Sequence, residues 1–208
     1  MLILGLTGQS GSGKSTLAEK LVSEGFVHID CDKLAREAVA KGTECLDELV
    51  AAFGEQILLP NGELDRKKLA SIAFSDKEKL ALLNGITHKH IKILLKEYIA
   101  KAKESGAVGC VVDAPTLFEA GVDSLCGVTA AVISDFDTRV ERIMKRDGIS
   151  RDDALLRCKA QHDNSYYESK CDYVIKNDSD KAAFSEAIAS FCFELKEHIK
   201  TNRKEFMS

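Results

Sequence analysis

The sequence predicts an α/β fold built on a parallel sheet. Three observations predict it. Short apolar runs, of the kind that suit strands buried on both faces, recur along the chain. Helical patterns lie between them. A glycine-rich turn joins the first apolar run to the first helical pattern.

The first run is MLILGLT, ending near Gly8. STLAEKLVSEG follows, with Leu17 and Leu21 four apart on one helical face and Gly25 as a stop signal. FVHID reads as a second short strand. From Lys33 to Gly106 the pattern is helical and contains no strand of its own, so it reads as a helical insertion beside the sheet. There CLDELVAAFG aligns Leu46, Leu49, Val50 and Phe53, and HIKILLKEYIAKA aligns Ile91, Leu94, Leu95, Tyr98 and Ala102. Strand patterns return with AVGCVVDAP, GVTAAVIS and DYVIKN. Between the last two lies an arginine-rich helical stretch, 135–165, a candidate for a second, smaller insertion. Ser150 and Asp153 have the spacing of a capping box for its second helix. From about Asp180 the chain reads as one amphipathic helix, with Phe184, Ile188, Phe191 and Leu195 inward.

The length of 208 residues suits one compact domain with such insertions. A net charge of -4 argues against a general nucleic-acid binder, which is usually basic. No run of 18 apolar residues occurs, so no membrane span is expected. The glycine loop begins at residue 8, which leaves no room for a signal peptide. The seven cysteines are scattered, with no C-x-x-C pair. They read as reduced thiols of a cytoplasmic protein rather than a disulfide framework or a zinc site. His88 and His90 flank Lys89 two residues apart, a spacing that does not share a helix face, so no metal site is read there.

The stretch GLTGQSGSGKST carries the chemistry. Gly8, Gly13, Lys14 and Ser15 satisfy G-x-x-x-x-G-K-[ST], with Gly11, Ser12 and Thr16 in and beside the same turn. Glycines let the backbone wrap an anion, and the N–H groups of the loop and of the helix that follows supply the donors. Lys14 would reach the β- and γ-phosphates of ATP, and the Ser15 hydroxyl would ligate Mg²⁺. Chance would produce this pattern in roughly 1% of chains this long. Here it also sits between a strand pattern and a helix pattern, as its mechanism requires.

No guanine-reading N-K-x-D is present, since 177–180 reads NDSD. Dinucleotide-binding folds use G-x-G-x-x-G without the lysine. A small phosphotransferase remains. It needs an acceptor site, exclusion of water and positive charge over the transferring group. Asp32 follows the second strand, at the end where ligands bind in parallel sheets, and is a candidate to hold an acceptor hydroxyl. Capping the helix before Lys33 is its alternative role. Asp113 ends the strand GCVVD and is either close to Mg²⁺ or a plain turn residue. Arg139, Arg142 and Arg146 share one helical face, three or four apart. That face is either turned to phosphate or solvated and balanced by Glu141, Asp147 and Asp152. Gly148 is either a lid pivot or a helix C-cap.

At this point the residues resemble the dephospho-coenzyme A kinase family over almost the whole chain. The glycine loop is followed by GFVHIDCDKLARE, whose Asp30, Asp32, Ala35 and Arg36 match the family's pattern. Further matches are Phe53-Gly54, LDRKKLASIAF, Phe118-Glu119, RIMKRD, Gln161 and DYVIKN. The resemblance implies a three-layer P-loop kinase fold with a five-stranded parallel sheet, a helical substrate domain and a lid. It implies a nucleotide-binding core of 1–32, 107–134 and 166–208, a coenzyme A domain of 33–106 and a lid of 135–165. It implies ATP-dependent phosphorylation of the ribose 3′-hydroxyl of dephospho-coenzyme A, the last step of coenzyme A biosynthesis, with Mg²⁺. Asp32 would face the acceptor hydroxyl, Arg36, His88 and Leu117 would contact substrate, Arg142 and Arg146 would serve as lid arginines, and Asn177 would lie near the adenine. The chain departs from the family at Lys89, where proline is common, at Thr116, where leucine is common, and at Arg139, where glutamine is common. Arg139 is therefore expected to make a salt-sensitive contact to phosphate or to a nearby acid. Two rivals share the glycine loop: another small P-loop kinase acting on a nucleoside, nucleotide or metabolite hydroxyl, and a nucleotide switch that transfers nothing. A monomer or a small homo-oligomer fits equally well.

Overall fold

Strands buried on both faces have to be largely apolar, and three segments of this chain are. In the structure, a computed structural model that describes residues 1–205, they form the middle of a five-stranded sheet. β1 is Leu2–Gly8, β3 is Gly109–Asp113 and β4 is Val128–Ile133; every residue of β3 and β4 is buried. The outer strands are β2, Phe26–Asp30, and β5, Tyr173–Lys176. The order is β2-β3-β1-β4-β5. β1 runs parallel to β3, with Leu4 opposite Val111, and to β4, with Gly8 opposite Val132. β4 runs parallel to β5. After β1 the chain crosses to one side, and after β3 it crosses to the other. The sheet therefore has its switch point between β1 and β3, at whose carboxyl ends a ligand crevice opens.

Helices cover both faces. α1 (Lys14–Ser23) and α9 (Lys181–Glu205) pack on one. Their Leu17, Leu21, Phe184, Ile188, Phe191 and Leu195 join Leu4, Leu6, Val111 and Val132 in the main core. On the other face Tyr167 of α8 (Asn164–Lys170) packs on Ala131 and Ile133. α6 (Phe136–Asp147) and α7 (Arg151–Lys159) form a hairpin around Val140, Ile143, Ala154 and Cys158. Its turn is fixed at both ends. Gly148 takes a left-handed conformation (φ 64°) and its N–H returns to the Met144 carbonyl, which makes it the C-cap of α6. Ser150 caps α7 by accepting from the Asp153 N–H, as its spacing predicts.

The chain divides into two compact units: Met1–His28 with everything from Ala102 onward, and Ile29–Lys101. The second contains α2 (Cys31–Ala38), α3 (Glu44–Phe53), α4 (Arg66–Ala73) and most of α5 (Lys77–Glu104). Its own core is Val39, Cys45, Leu49, Phe53, Ile57 and Leu69. The division falls within α5, a few residues before the Gly106 stop that the sequence suggests. Residues 135–165 group with the sheet, because α6 is tied to the glycine loop by contacts described below.

Leu195 is 1% exposed in the main core. Leu195→Ala is expected to lower unfolding stability by about 2–5 kcal/mol in urea titrations, since the side chain is fully enclosed in that core. A loss below about 1 kcal/mol would contradict this packing.

Candidate active site

The turn between β1 and α1 is possible because of its glycines. Gly8 has φ 139°, and a Cβ there would lie 2.2 Å from the Val132 carbonyl oxygen. Gly13 has φ 103°, and a Cβ there would lie 2.5 Å from Asn177 Nδ2. Both positions exclude any side chain on two counts. Gly13 is also the N-cap of α1, so no side chain caps this helix, and its first turn holds no acid. Its leading N–H groups, with their partial positive charge, are left for an anion.

A loop that turns N–H groups inward turns carbonyls outward, and these find donors. Asn177 Nδ2 donates to the Ser12 carbonyl at 2.7 Å. Arg142 Nη1 donates to the Gly11 carbonyl at 3.4 Å and to the Asn177 carbonyl at 3.0 Å, while Nη2 donates to Asn177 Oδ1 at 3.2 Å. The Ser134 hydroxyl also donates to the Asn177 carbonyl. On the far side of the loop, the Ser10 N–H donates to Gln161 Oε1 at 3.0 Å and Gln9 Nε2 donates to Asn164 Oδ1 at 2.7 Å. The 161–164 segment is itself pinned by His162, whose Nε2 lies 2.8 Å from Glu119 Oε1.

Charge is concentrated at the switch point. Lys14 Nζ pairs with Asp113 Oδ1, and His28 Nε2 lies 3.1 Å from Asp113 Oδ2. Burial pushes the Asp113 carboxyl up, but the hydrogen bond from His28 and the charge of Lys14 outweigh it and hold the carboxyl below its ordinary value. Asp113 is thus a working ionic partner at the end of β3 and not a bare turn residue.

The three arginines of α6 part company. Arg142 is half-buried and its guanidinium is taken up by the loop and Asn177. Arg146 is exposed, donates from Nη2 to the Ser10 hydroxyl at 3.3 Å and pairs through Nε with Asp147. The Arg146 hydrogen bond, aided by Arg157, holds Asp147 down to about 2. Arg139 is 3% exposed and donates to Gln161 Oε1 at 3.4 Å. The expectation for Arg139 names phosphate or a nearby acid; its side chain packs inward near the start of α6, and among the described residues no carboxylate pairs with it.

Other sequence-based site residues fall as follows. Ser15 and Thr16 lie in the first turn of α1. Asp32 is exposed in the first turn of α2, where Asp30 does the capping by accepting from the N–H groups of Asp32 and Lys33. The cap role considered for Asp32 therefore belongs to Asp30, which leaves the Asp32 carboxylate outside the cap. Arg36 is exposed on α2. His88 on α5 is half-buried, and burial, with the charge of Lys92, pushes its imidazole below 6.5. Leu117 is a correction. It is fully buried, and its methyl carbons would lie 3.0 and 3.2 Å from a Cβ at Gly5, so it fills the core beside β1 and offers a substrate no surface. Sequence reasoning missed His28 and Ser134. The signal for His28 was a titratable residue inside an otherwise apolar strand pattern; Ser134 left none.

Comparison with known proteins places these features in company. The family model for dephospho-CoA kinase matches residues 2–183. A dephospho-CoA kinase of Fusobacterium nucleatum is 39% identical over 192 residues, covering 92% of this chain and 97% of the relative. Among solved structures, a Thermus thermophilus protein superposes with a TM-score of 0.78 at 32% identity, covering 93% of this chain and 97% of the other. A dephospho-CoA kinase from Campylobacter jejuni superposes with a TM-score of 0.69 at 27% identity, covering 94% and 98%.

Because the folded Asp113 carboxyl sits below its ordinary value of 3.8, its contribution to stability is present above that pH and is lost as pH falls through the lowered folded value. Urea midpoints of the native chain and of Asp113→Asn should therefore differ most near pH 7 and converge in acid. A gap that widened as pH fell would contradict the arrangement.

Proposed function

The chain belongs to the dephospho-CoA kinase family, and from that premise we propose that it transfers the γ-phosphoryl group of Mg-ATP to the ribose 3′-hydroxyl of dephospho-coenzyme A, giving coenzyme A and ADP. The observation that carries this reading is the Lys14–Asp113 pair at the uncapped start of α1, beside the switch point of the sheet.

The transfer passes through a loose transition state, so positioning and charge dominate. Lys14 pairs with Asp113. The nucleotide's phosphates compete for Lys14 and for the N–H groups of the loop around Gly8, Gly11, Ser12, Gly13, Ser15 and Thr16. The Ser15 hydroxyl and the Asp113 carboxylate would offer oxygen donors of the kind that suit Mg²⁺. Ser15 would hold the ion directly and Asp113 through water, and the ion would supply charge neutralisation on the phosphates.

Arg146 is exposed beside Ser10 and serves as the lid arginine that meets the transferring group; such a residue is worth about 10³–10⁵ in rate. Arg142 acts by holding the loop, and Asn177 borders the adenine while bracing the same loop. Residues 135–165 form the lid that keeps water from the phosphoryl group. Residues 33–106 hold the coenzyme A moiety. There the cationic Arg36 meets anionic substrate, and His88, whose charged form burial and Lys92 disfavour, offers hydrogen bonds. Asp32 orients the acceptor hydroxyl and takes its proton late, since a carboxylate is far too weak a base to ionise a sugar hydroxyl beforehand.

Net charge of -4 speaks against nucleic acid as a partner. Among the described residues no helix is long and apolar enough to cross a membrane. The working form is a cytoplasmic monomer or small homo-oligomer.

Asp32→Asn is the direct test of the acceptor role. Turnover to coenzyme A should fall by about 10²–10⁴ while ATP binding stays unchanged. Near-normal turnover in this variant would reject the assignment.

A further inference from the structure

A cavity of about 560 Å³ opens between the first turn of α6, the last turn of α7 and residues 161–168. Its lining includes none of the described loop residues 8–15, so it is distinct from the phosphate loop. Arg139 lines it, 3% exposed, and the Arg139 Nε–H is buried with no hydrogen-bond partner among the described residues. The guanidinium's other contacts are one long hydrogen bond to Gln161 Oε1, at 3.4 Å, and the Phe136 ring, 5.6 Å from its centre. A buried cation so weakly compensated is costly unless an anion meets it.

The acids around the cavity do not supply that anion. Asp163 accepts from the Ser165 hydroxyl and the Tyr166 N–H, and Glu168 pairs with Lys176. Asp135 and Lys159 both line the cavity, an acid and a base together. Phe136 and Cys158 give the cavity an apolar wall. The volume falls within the roughly 300–1,000 Å³ of small-molecule sites and exceeds what a bare phosphate ion fills.

We propose that this cavity binds a small organic anion, with one carboxylate or phosphate on an apolar body, whose charged group seats on the Arg139 guanidinium. The fork of N–H donors suits either group. The site is separate from the nucleotide's, but Gln161 accepts from both Arg139 and the Ser10 N–H, so the ligand would sit one shared acceptor away from the phosphate loop.

Titration calorimetry on the full chain tests this, with Mg-ADP at saturation so that the phosphate loop is already occupied. The probes are benzoate, phenyl phosphate and inorganic phosphate. At least one aromatic anion should bind once per chain and more tightly than inorganic phosphate, and Arg139→Gln should weaken it by about 10-fold or more. Ser165 is exposed and lines the cavity, so Ser165→Trp, which fills the mouth and leaves Arg139 in place, should weaken it as well. The proposal is overturned if no probe binds saturably up to about 10 mM. It is overturned if inorganic phosphate binds as tightly as both aromatic anions. It is also overturned if affinity is unchanged in Arg139→Gln or, should that variant not fold, in Ser165→Trp.

Discussion

A backbone that aims its N–H groups at an anion has to aim its carbonyls elsewhere, and buried carbonyls need donors. The rest of this molecule is arranged around that constraint. The Ser12 carbonyl takes the Asn177 amide and the Gly11 carbonyl takes Arg142. Asn177 follows β5 and Arg142 stands on α6, so the end of an outer strand and the first helix of the hairpin are both fixed by what the loop requires. Arg142 also binds Asn177 itself, which closes the clasp. The loop's shape is thereby held by the protein's own side chains. Donors that need no rearrangement at the moment of reaction are the ones that stabilise a transition state best.

Charge follows the same logic. The positive end of α1 and the Lys14 ammonium converge on one place, and the Asp113 carboxylate, itself held by His28, balances the lysine's charge. The balance depends on the sheet, because β3 lies beside β1 and brings Asp113 to the carboxyl end of the switch point. Reordering the strands would leave Lys14 with the same local sequence and no partner. The arginines of α6 illustrate how burial sorts equal charges: one braces the loop, one is exposed beside Ser10, and one is shut inside with little to hold.

Features set by neighbouring residues were legible in the sequence. The glycine loop, the helix that follows it, the Ser150 cap and the inward stripe of the last helix all depend on spacing within a few residues. The parallel α/β architecture was legible because its central strands are nearly continuous apolar runs. What depends on distant packing was not. Asp30 and Asp32 look equally able to cap a helix, and the structure chooses Asp30. Leu117 is a substrate contact by resemblance, yet it packs against Gly5 in the core. His28 reaches Asp113 only through strand order. Arg139, Arg142 and Arg146 share a face by spacing, but spacing says nothing of what each meets. The boundaries between the two units lie inside β2 and inside α5, where the local pattern runs on unbroken.

The measurement closest to the central claim is ADP release by the purified protein with Mg-ATP, with and without dephospho-coenzyme A, with the acceptor product identified by mass. The account predicts a large acceptor-dependent rate and coenzyme A as the product. ADP release that the acceptor does not stimulate, or an acceptor left unphosphorylated, would contradict it.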